Sequence, residues 1–518
     1  MAQAMSNSPP GTRAVAAPPR QLLRMLLVAG VVALLGLLGG ALSATGKPQL
    51  IAIFFGLVVV ALIVTSRSAL FWFVVISALV VTGVCQLYLP LLKYVRYIVP
   101  LASVPLLLHG VMDYFTSWTR ARHDPTPAIV SWALAFALAC VVSALVNLSD
   151  PAVVLVGMKG YFQMWGLFLS VVFLTWNDRF TGNLARGILL IALLQVPFAV
   201  HEYLFLVPKR VGLGAGIVPV DIVAGTFGAT LDGGGANAVL AGFQVIVVGC
   251  LLALWKNGAL SGFKAAAASL LLLSPMLVNE AKITALYLPL VFIVIFRRDI
   301  AGRPVKFLVG GLGMLGVLAV LMSALVLGSN SAKVKSWSDL VDYVVATQTA
   351  DTDARQGQYS ELSRLSALSF WVKEHVRADP INTLVGHGVG ASRENAGGLD
   401  LANTLAEKRY PGLRIGYTAL SALLWDTGVI GLITVLGMFA SAFLTAGRLA
   451  RHYRGTDKFR TGLFEGLQAG MAVLALSLAH KDFFIIHLPF QAVTYLTIGF
   501  IAYSWLEVAR SKEPRPAA

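Results

Sequence analysis

Long runs of apolar side chains alternate with short polar connectors along most of the chain, from about Leu22 to about Leu506. Each run holds about 18 or more mostly apolar residues, enough for a helix to cross roughly 30 Å of hydrocarbon. Inside the runs the apolar residues are continuous and do not alternate with period two. In lipid only helices and closed barrels satisfy their own backbone hydrogen bonds, so this pattern selects helices. About fourteen runs can be counted, and the expected fold is an all-α, polytopic transmembrane helical bundle of about 12–14 spans. Residues 1–21 read as a Pro/Ala-rich disordered tail, and residues 22–328 as the first spans, with a glycine-rich connector at 207–236. A long polar loop follows at 329–411, then the last spans at 412–508 and a short tail at 509–518.

Composition agrees: 57% hydrophobic residues, 13% charged residues and a mean hydropathy of +0.77 exclude a soluble domain of this length. The apolar run Met25–Leu42 follows Arg13, Arg20 and Arg24 as a signal peptide would, but it is long and lacks a small-x-small cleavage site, so a retained first span is expected. Lys and Arg near span ends stay preferentially on the cytoplasmic side. With the amino terminus inside, that face receives Arg67, Arg120, Arg122, Arg179, Arg186, Lys256, Lys264, Arg297, Arg298, Arg303 and Lys306. It also receives Arg448, Arg451, Arg454, Lys458, Arg460, Arg510, Lys512 and Arg515. Both termini are then cytoplasmic, and segments 207–236 and 329–411 face the other side. Most of the +15 net charge is explained as topology, with attraction to anionic membrane lipids as a by-product and no nucleic-acid partner. Lys93 and Arg96 break the pattern, because this topology puts them outside. Cys85, Cys140 and Cys250 lie in or beside apolar runs and read as small buried thiols.

Candidate chemistry collects on the outer side. From Tyr359 to Ala378 the residues Leu362, Leu365, Leu368, Val372 and Val376 recur at helical spacing before the stop Asp379-Pro380, which predicts an amphipathic helix on or near the membrane. Arg364, Leu368, Trp371 and His375 share one stripe of it. Arg364 and His375 would be about 16 Å apart along the axis, too far to grip one phosphate together but able to line one groove. Gly386-His387-Gly388-Val389-Gly390 reads as backbone turning through positive φ or approaching another group closely, with a phosphate nest the less common use. Gly225–Asn237 reads equally as a flexible re-entry into the membrane or as a site. Glu280 and Lys282 at a tight outer turn either pair with each other or act on a ligand. His480, Lys481, Asp482 and His487 cluster at the outer end of the last two spans, and His201 with Glu202 ends an earlier span on the same side, whereas His109 and Asp113 read as interfacial. Asp351-x-Asp353 has the form of a metal motif, but such a pair arises often by chance in polar loops, and no metal is expected.

The order of these pieces resembles the O-antigen ligase and Wzy-type polysaccharide polymerase superfamily. The resemblance runs from about Val207 to Leu432, through Gly225-Thr226-Phe227 with Asn237-Ala238, Lys282, Ser363-Arg364-Leu365-Ser366 with Trp371, Pro380 and Leu384–Gly390. It ends in Leu424-Trp425-Asp426-Thr427-Gly428-Val429-Ile430-Gly431-Leu432, which is similar to the family's carboxylate-x-Gly-x-x-Gly-Leu stretch. Two positions depart from the family. Tyr417-Thr418 stands where ligases place a His-Asn pair, and Lys282 replaces an arginine, which keeps the charge but loses the bidentate fork. Both departures favour polymerase over ligase.

The resemblance implies a GT-C-like fold in the bacterial inner membrane, with the large late loop in the periplasm. It implies metal-independent, cofactor-free glycosyl transfer from an undecaprenyl-pyrophosphate-linked glycan donor to a glycan acceptor, building an exopolysaccharide, capsule or O-antigen. Polysaccharide export or chain-length proteins are the implied partners. Fixed cations suit the charge developing on a pyrophosphate leaving group, which nominates Arg364 and Lys282, with Arg355 and Arg393 as secondary cations. His387, His375 and His480 are the candidate general bases, and Tyr417 and Trp371 the candidate sugar contacts. The alternatives are ligation of polysaccharide onto an acceptor such as lipid A core, a polysaccharide or lipid transporter or flippase, and a structural subunit of an envelope complex. No internal repeat is visible and the polar residues collect outside the spans, which favours an enzyme over a transporter.

Overall fold

The computed structural model describes residues 66–89, 95–120, 126–211, 219–231, 236–279, 281–303, 362–394 except 377, and 403–511, together with scattered positions in 30–58 and 305–338. Arg355, the Asp351-x-Asp353 pair, Glu280, the tail 1–21 and residues 512–518 lie outside the described residues. Residues 1–58 form a unit of their own, in which Gly39 packs against the ring of Phe54. All that follows concerns the second unit.

The described elements are helices, and seven are long and apolar enough to cross a membrane, or eight if one bent pair counts as a span. The first are α1 (Arg67–Tyr88), α2 (Val95–Arg120), α3 (Ala128–Val146) and the bent pair α4 (Pro151–Phe162) and α5 (Trp165–Phe173). They are followed by α6 (Phe180–Arg210), α7 (Asn237–Lys256), α8 (Gly262–Leu273) and α9 (Thr284–Gly302). Three short helices, α10 (Arg364–His375), α11 (Pro380–Val385) and α12 (Leu405–Arg409), precede α13 (Ala419–His452). The chain closes with α14 (Lys458–Ser477), α15 (Phe483–Ile486) and α16 (Leu488–Arg510). Several of the predicted spans, including those at the amino terminus and the one before the long loop, fall outside the described residues.

The core is centred on α7, which packs on α14, with α13 against α3 and α14, and α5 between α2 and α16. The helices run alternately, so the bundle has two chemically distinct ends. One end holds the predicted inner-face cations in ion pairs: Arg67 with Asp113 at 3.0 Å, Lys256 with Asp299 at 3.1 Å, and Arg454 with Glu465 at 2.9 Å. Arg297 Nη2 joins them by donating to Gln468 Oε1 at 2.7 Å. The other end carries the residues singled out for chemistry.

Residues 224–229 plug that second end and are buried throughout. Thr226 N donates to Gln195 Oε1 at 2.8 Å, Gln195 Nε2 returns a bond to the Thr226 hydroxyl, and Ala224 N and Gly225 N both donate to Glu202 Oε2. The Thr226 hydroxyl also donates to Leu79 O at 2.6 Å, beside the π-turn Ser77–Val81 that interrupts α1. Gly83 permits this approach, since a Cβ there would lie 2.1 Å from Thr226 O. Hydrogen bonds thus hold the 224–226 part of this glycine-rich segment, whose residues 232–235 lie outside the described residues.

The predicted amphipathic helix forms as α10, shorter than the Tyr359–Ala378 pattern, because the Ser363 hydroxyl accepts from Ser366 N and caps it at Arg364. Its buried stripe is Ala367, Trp371 and His375, while Leu365, Val372 and Val376 are exposed. The aromatic stripe faces the protein because it packs on Trp425 of α13.

Candidate functional site

A cavity of about 710 Å³ opens at the second end of the bundle. Five cationic side chains from five chain segments line it: Arg96 of α2, Lys159 of α4, Arg393, Arg414 and Lys481. Phe227, Ile485, Ile486, Leu488 and Pro489 form an apolar side, and Glu394, Asp482, His487 and Tyr417 complete the polar one.

Local structure aims each cation. Arg96 Nη2 donates to the Tyr97 hydroxyl at 2.9 Å, and Lys159 Nζ lies 4.4 Å from the centroid of the same ring, so Tyr97 is a shared platform. Arg393 Nη1 donates to Val156 O at 3.2 Å on α4, and Arg96 and Arg393 both act electrostatically on Lys159. Arg414 takes a left-handed backbone, φ 44°, while its amide donates to Glu394 Oε1 at 2.5 Å. Lys481 is fixed by its backbone, whose carbonyl accepts from Ala419 N at the start of α13. Burial pushes the Asp482 carboxyl up to about 6 against the pull of Lys481, Arg393 and Arg414. Burial and Lys481 push the neighbouring His487 imidazole down to about 4, and its buried Nδ1 has no hydrogen-bond partner among the described residues.

The glycine run and the Trp425–Gly428 stretch form one packed seam behind the cavity. Gly428 breaks α13 at φ 64°, where a Cβ would lie 2.3 Å from Leu384 O, and Gly386, at φ 74°, meets the backbone of Asp426 and Thr427. Asp426 is fully buried; its Oδ2 accepts from the Tyr161 hydroxyl at 2.9 Å and its Oδ1 from Ser392 N at 2.7 Å. Ser143 of α3 donates to Asp426 O and accepts from Gly388 N. The glycines therefore serve close backbone approach. Their product is the position of Arg393, one residue beyond Ser392.

The predicted site residues divide into three groups. Arg393 and Tyr417 line the cavity. Arg364 and Lys282 are not among the lining residues: Arg364 Nε donates to His480 O at 2.9 Å with its guanidinium 6.0 Å from the Tyr417 ring centroid, while Lys282 and Lys481 both act on the half-buried Asp221 carboxylate. His480 is not among the lining residues, and burial beside Arg364 and Lys481 pushes its imidazole down to about 3. Trp371, His375 and His387 are carried away from the cavity into an aromatic cluster, where the Trp371 ring stacks on His375 at 4.8 Å. A buried aromatic stripe gains more by packing on Trp425 than by facing a solvated groove. Sequence reasoning overlooked Lys159 and Arg414 and left Asp482 and His487 unassigned. The available signal was the pair Lys93 and Arg96, cations that break the expected charge pattern.

In that cluster His375 Nδ1 lies 3.0 Å from Trp371 O and its Nε2 lies 2.8 Å from His387 Nε2. A carbonyl only accepts, so His375 carries its proton on Nδ1, and His387 Nε2–H donates to His375 Nε2. Burial lowers both imidazoles, His387 to about 4, with Asp379 and Glu374 opposing and Arg409 reinforcing the shift. An unfolded chain binds these protons below about pH 6.5, so stability is lost as pH falls through that range, and the His387 part of the loss ends near pH 4. The thermal midpoint in detergent is expected to drop between pH 7 and pH 5, and the drop should shrink in His387→Gln. A wild-type midpoint that does not move over this range would refute the assignment.

Fold and site together define a polytopic helical protein with a cation-lined, half-apolar cavity at one end of its bundle. Among the described residues no group of three or more His, Cys, Asp or Glu is arranged to hold a metal ion. No protein-family model matches the sequence, and none of the curated proteins matches it.

Proposed function

We propose that this chain is a metal-independent glycosyltransferase of GT-C-like architecture in the bacterial inner membrane. It polymerises undecaprenyl-pyrophosphate-linked oligosaccharide repeat units into a surface polysaccharide, with the large late loop and the cavity on the periplasmic face. The observation that carries this reading is the convergence of Arg96, Lys159, Arg393, Arg414 and Lys481 on one cavity with an apolar side. A polyprenyl pyrophosphate needs both features: fixed positive charge for the oxygens that become a leaving group, and a greasy surface for the first isoprene units. Placing the cations before the reaction avoids reorganising water as charge develops. Arg364 and Lys282 act from outside the lining, holding the 480–482 turn and the Asp221 region that present Lys481. The resemblance in motif order points the same way, and Tyr417-Thr418 in place of a His-Asn pair favours polymerisation over ligation.

The test replaces Lys481 by Ala at matched membrane abundance and analyses polysaccharide with its lipid-linked intermediates. A polymerase leaves single repeat units on the carrier, which is the expected result. A ligase leaves long chains still on the carrier, and a transporter traps intermediates on the cytoplasmic leaflet. Unchanged profiles would remove the cavity from consideration.

A further inference from the structure

Proton removal from the acceptor sugar needs a base at the cavity, and the three histidines expected for that task are not on its wall. His375 spends its Nε2 lone pair on His387, and His480 sits outside the lining beside two cations. Two carboxylates do reach the wall. Glu394 is engaged by Arg414, accepting its backbone amide at 2.5 Å and facing its guanidinium at 3.7 Å. Asp482 makes no ion pair among the described residues and has Arg393, Arg414 and Lys481 around it. It starts the one-turn helix α15, whose other end is His487, so the turn presents an acid and a neutral imidazole to one space.

Resting on the transferase reading, we propose that Asp482 is the general base: an Oδ of its carboxylate takes the proton of the acceptor hydroxyl as that oxygen bonds to the donor sugar's anomeric carbon. The bond from that carbon to the pyrophosphate oxygen breaks, and its electron pair leaves with the undecaprenyl pyrophosphate among Arg393, Lys159 and Arg96. The proton returns to water from Asp482 after product departs, so the step balances with no further reagent.

The charges around Asp482 fit this division of labour. On its own turn stand His480, Lys481 and His487, Arg393, Glu394 and Arg414 come from the loops before α13, and Arg96 with Lys159 lie across the cavity. The cations keep the carboxylate ionised at neutral pH, while burial keeps it basic, and a base works best with its pKa near the working pH. His487 is the weaker base of the two.

The experiment uses the full-length protein in liposomes. Undecaprenyl pyrophosphate is the binding probe, and lipid-linked glycan extracted from host cells lacking this chain is the substrate. Asp482→Asn is expected to lower turnover by about 10²- to 10⁴-fold, with undecaprenyl pyrophosphate affinity and thermal midpoint held. The wild-type rate should decline on the acid side of about pH 6, that decline should vanish in the residual activity of Asp482→Asn, and Asp482→Glu should recover part of the rate. An Asp482→Asn protein that turns over like wild type, or loses binding in step with turnover, overturns the base assignment alone. A wild-type protein that neither binds undecaprenyl pyrophosphate nor elongates the glycan overturns the transferase reading and this inference with it.

Discussion

Removing Arg393 and Lys159 together, as the double alanine variant, is expected to abolish measurable transfer while leaving the protein as stable as wild type or more so. Each fixed donor aimed at developing charge contributes about 10²- to 10³-fold in rate, so the pair accounts for at least about 10⁴-fold. Stability should move the other way. Arg96, Lys159 and Arg393 crowd one wall and repel one another when no anion is present. Deleting two of them relieves that repulsion, and among the described residues the Arg393 side chain gives up one hydrogen bond, to Val156 O. Initial rates, undecaprenyl pyrophosphate affinity and thermal midpoints of the two single variants and the double one measure this directly. Arg393→Lys separates charge from geometry: it keeps the cation and loses the planar fork, so it should fall between wild type and Arg393→Ala. A double variant that unfolds, or one that retains activity, would show that these cations hold the fold or do nothing.

Asp426→Ala is expected to cost stability and activity together. Its carboxylate takes the Tyr161 hydroxyl and the Ser392 amide, with the Ser392 hydroxyl and the Gly390 amide beside them, in a fully buried setting, so truncation leaves several buried donors unsatisfied at about 1–3 kcal/mol each. Ser392 precedes Arg393, so the loosened seam also misplaces a cation of the cavity. Asp426→Asn keeps an acceptor oxygen and should be milder on both counts. The comparison is made by thermal unfolding in detergent and by transfer assay on the same preparations. Loss of activity without loss of stability in Asp426→Ala would argue that the carboxylate acts on substrate and not on the seam.

The two variants bear on how far a sequence can be read. The helical character of the apolar segments was legible because lipid imposes one local rule, continuous apolarity over a helix-crossing length, and seven of the described helices are long and apolar enough to meet it. Helix α10 was legible through its spacing and its Asp379-Pro380 stop, but not its rotation, which depends on Trp425 some fifty positions later. The Gly386–Gly390 run announced a special backbone without saying why; the reason is the break in α13 at Gly428, invisible until both are side by side. Arg393 and Tyr417 were named from the resemblance and do line the cavity. Trp371, His375 and His387 were named by the same reasoning and cluster elsewhere. An aromatic or imidazole ring has two good uses, packing and chemistry, and local sequence does not distinguish them.

By itself the sequence determined that this is a helical protein with apolar segments of membrane-crossing length, and where those segments lie, since these follow from the transfer energetics of single segments. Only the tertiary structure decided which side chains meet. Arg96, Lys159, Arg393, Arg414 and Lys481 come from segments spread over nearly 400 residues, and Asp482 reaches their cavity from a turn that the sequence marks only as a local cluster of charged and imidazole side chains. The physical reason is that helix periodicity records which face is buried but not against which partner, so convergence at one end of the bundle is written in packing and not in any local pattern.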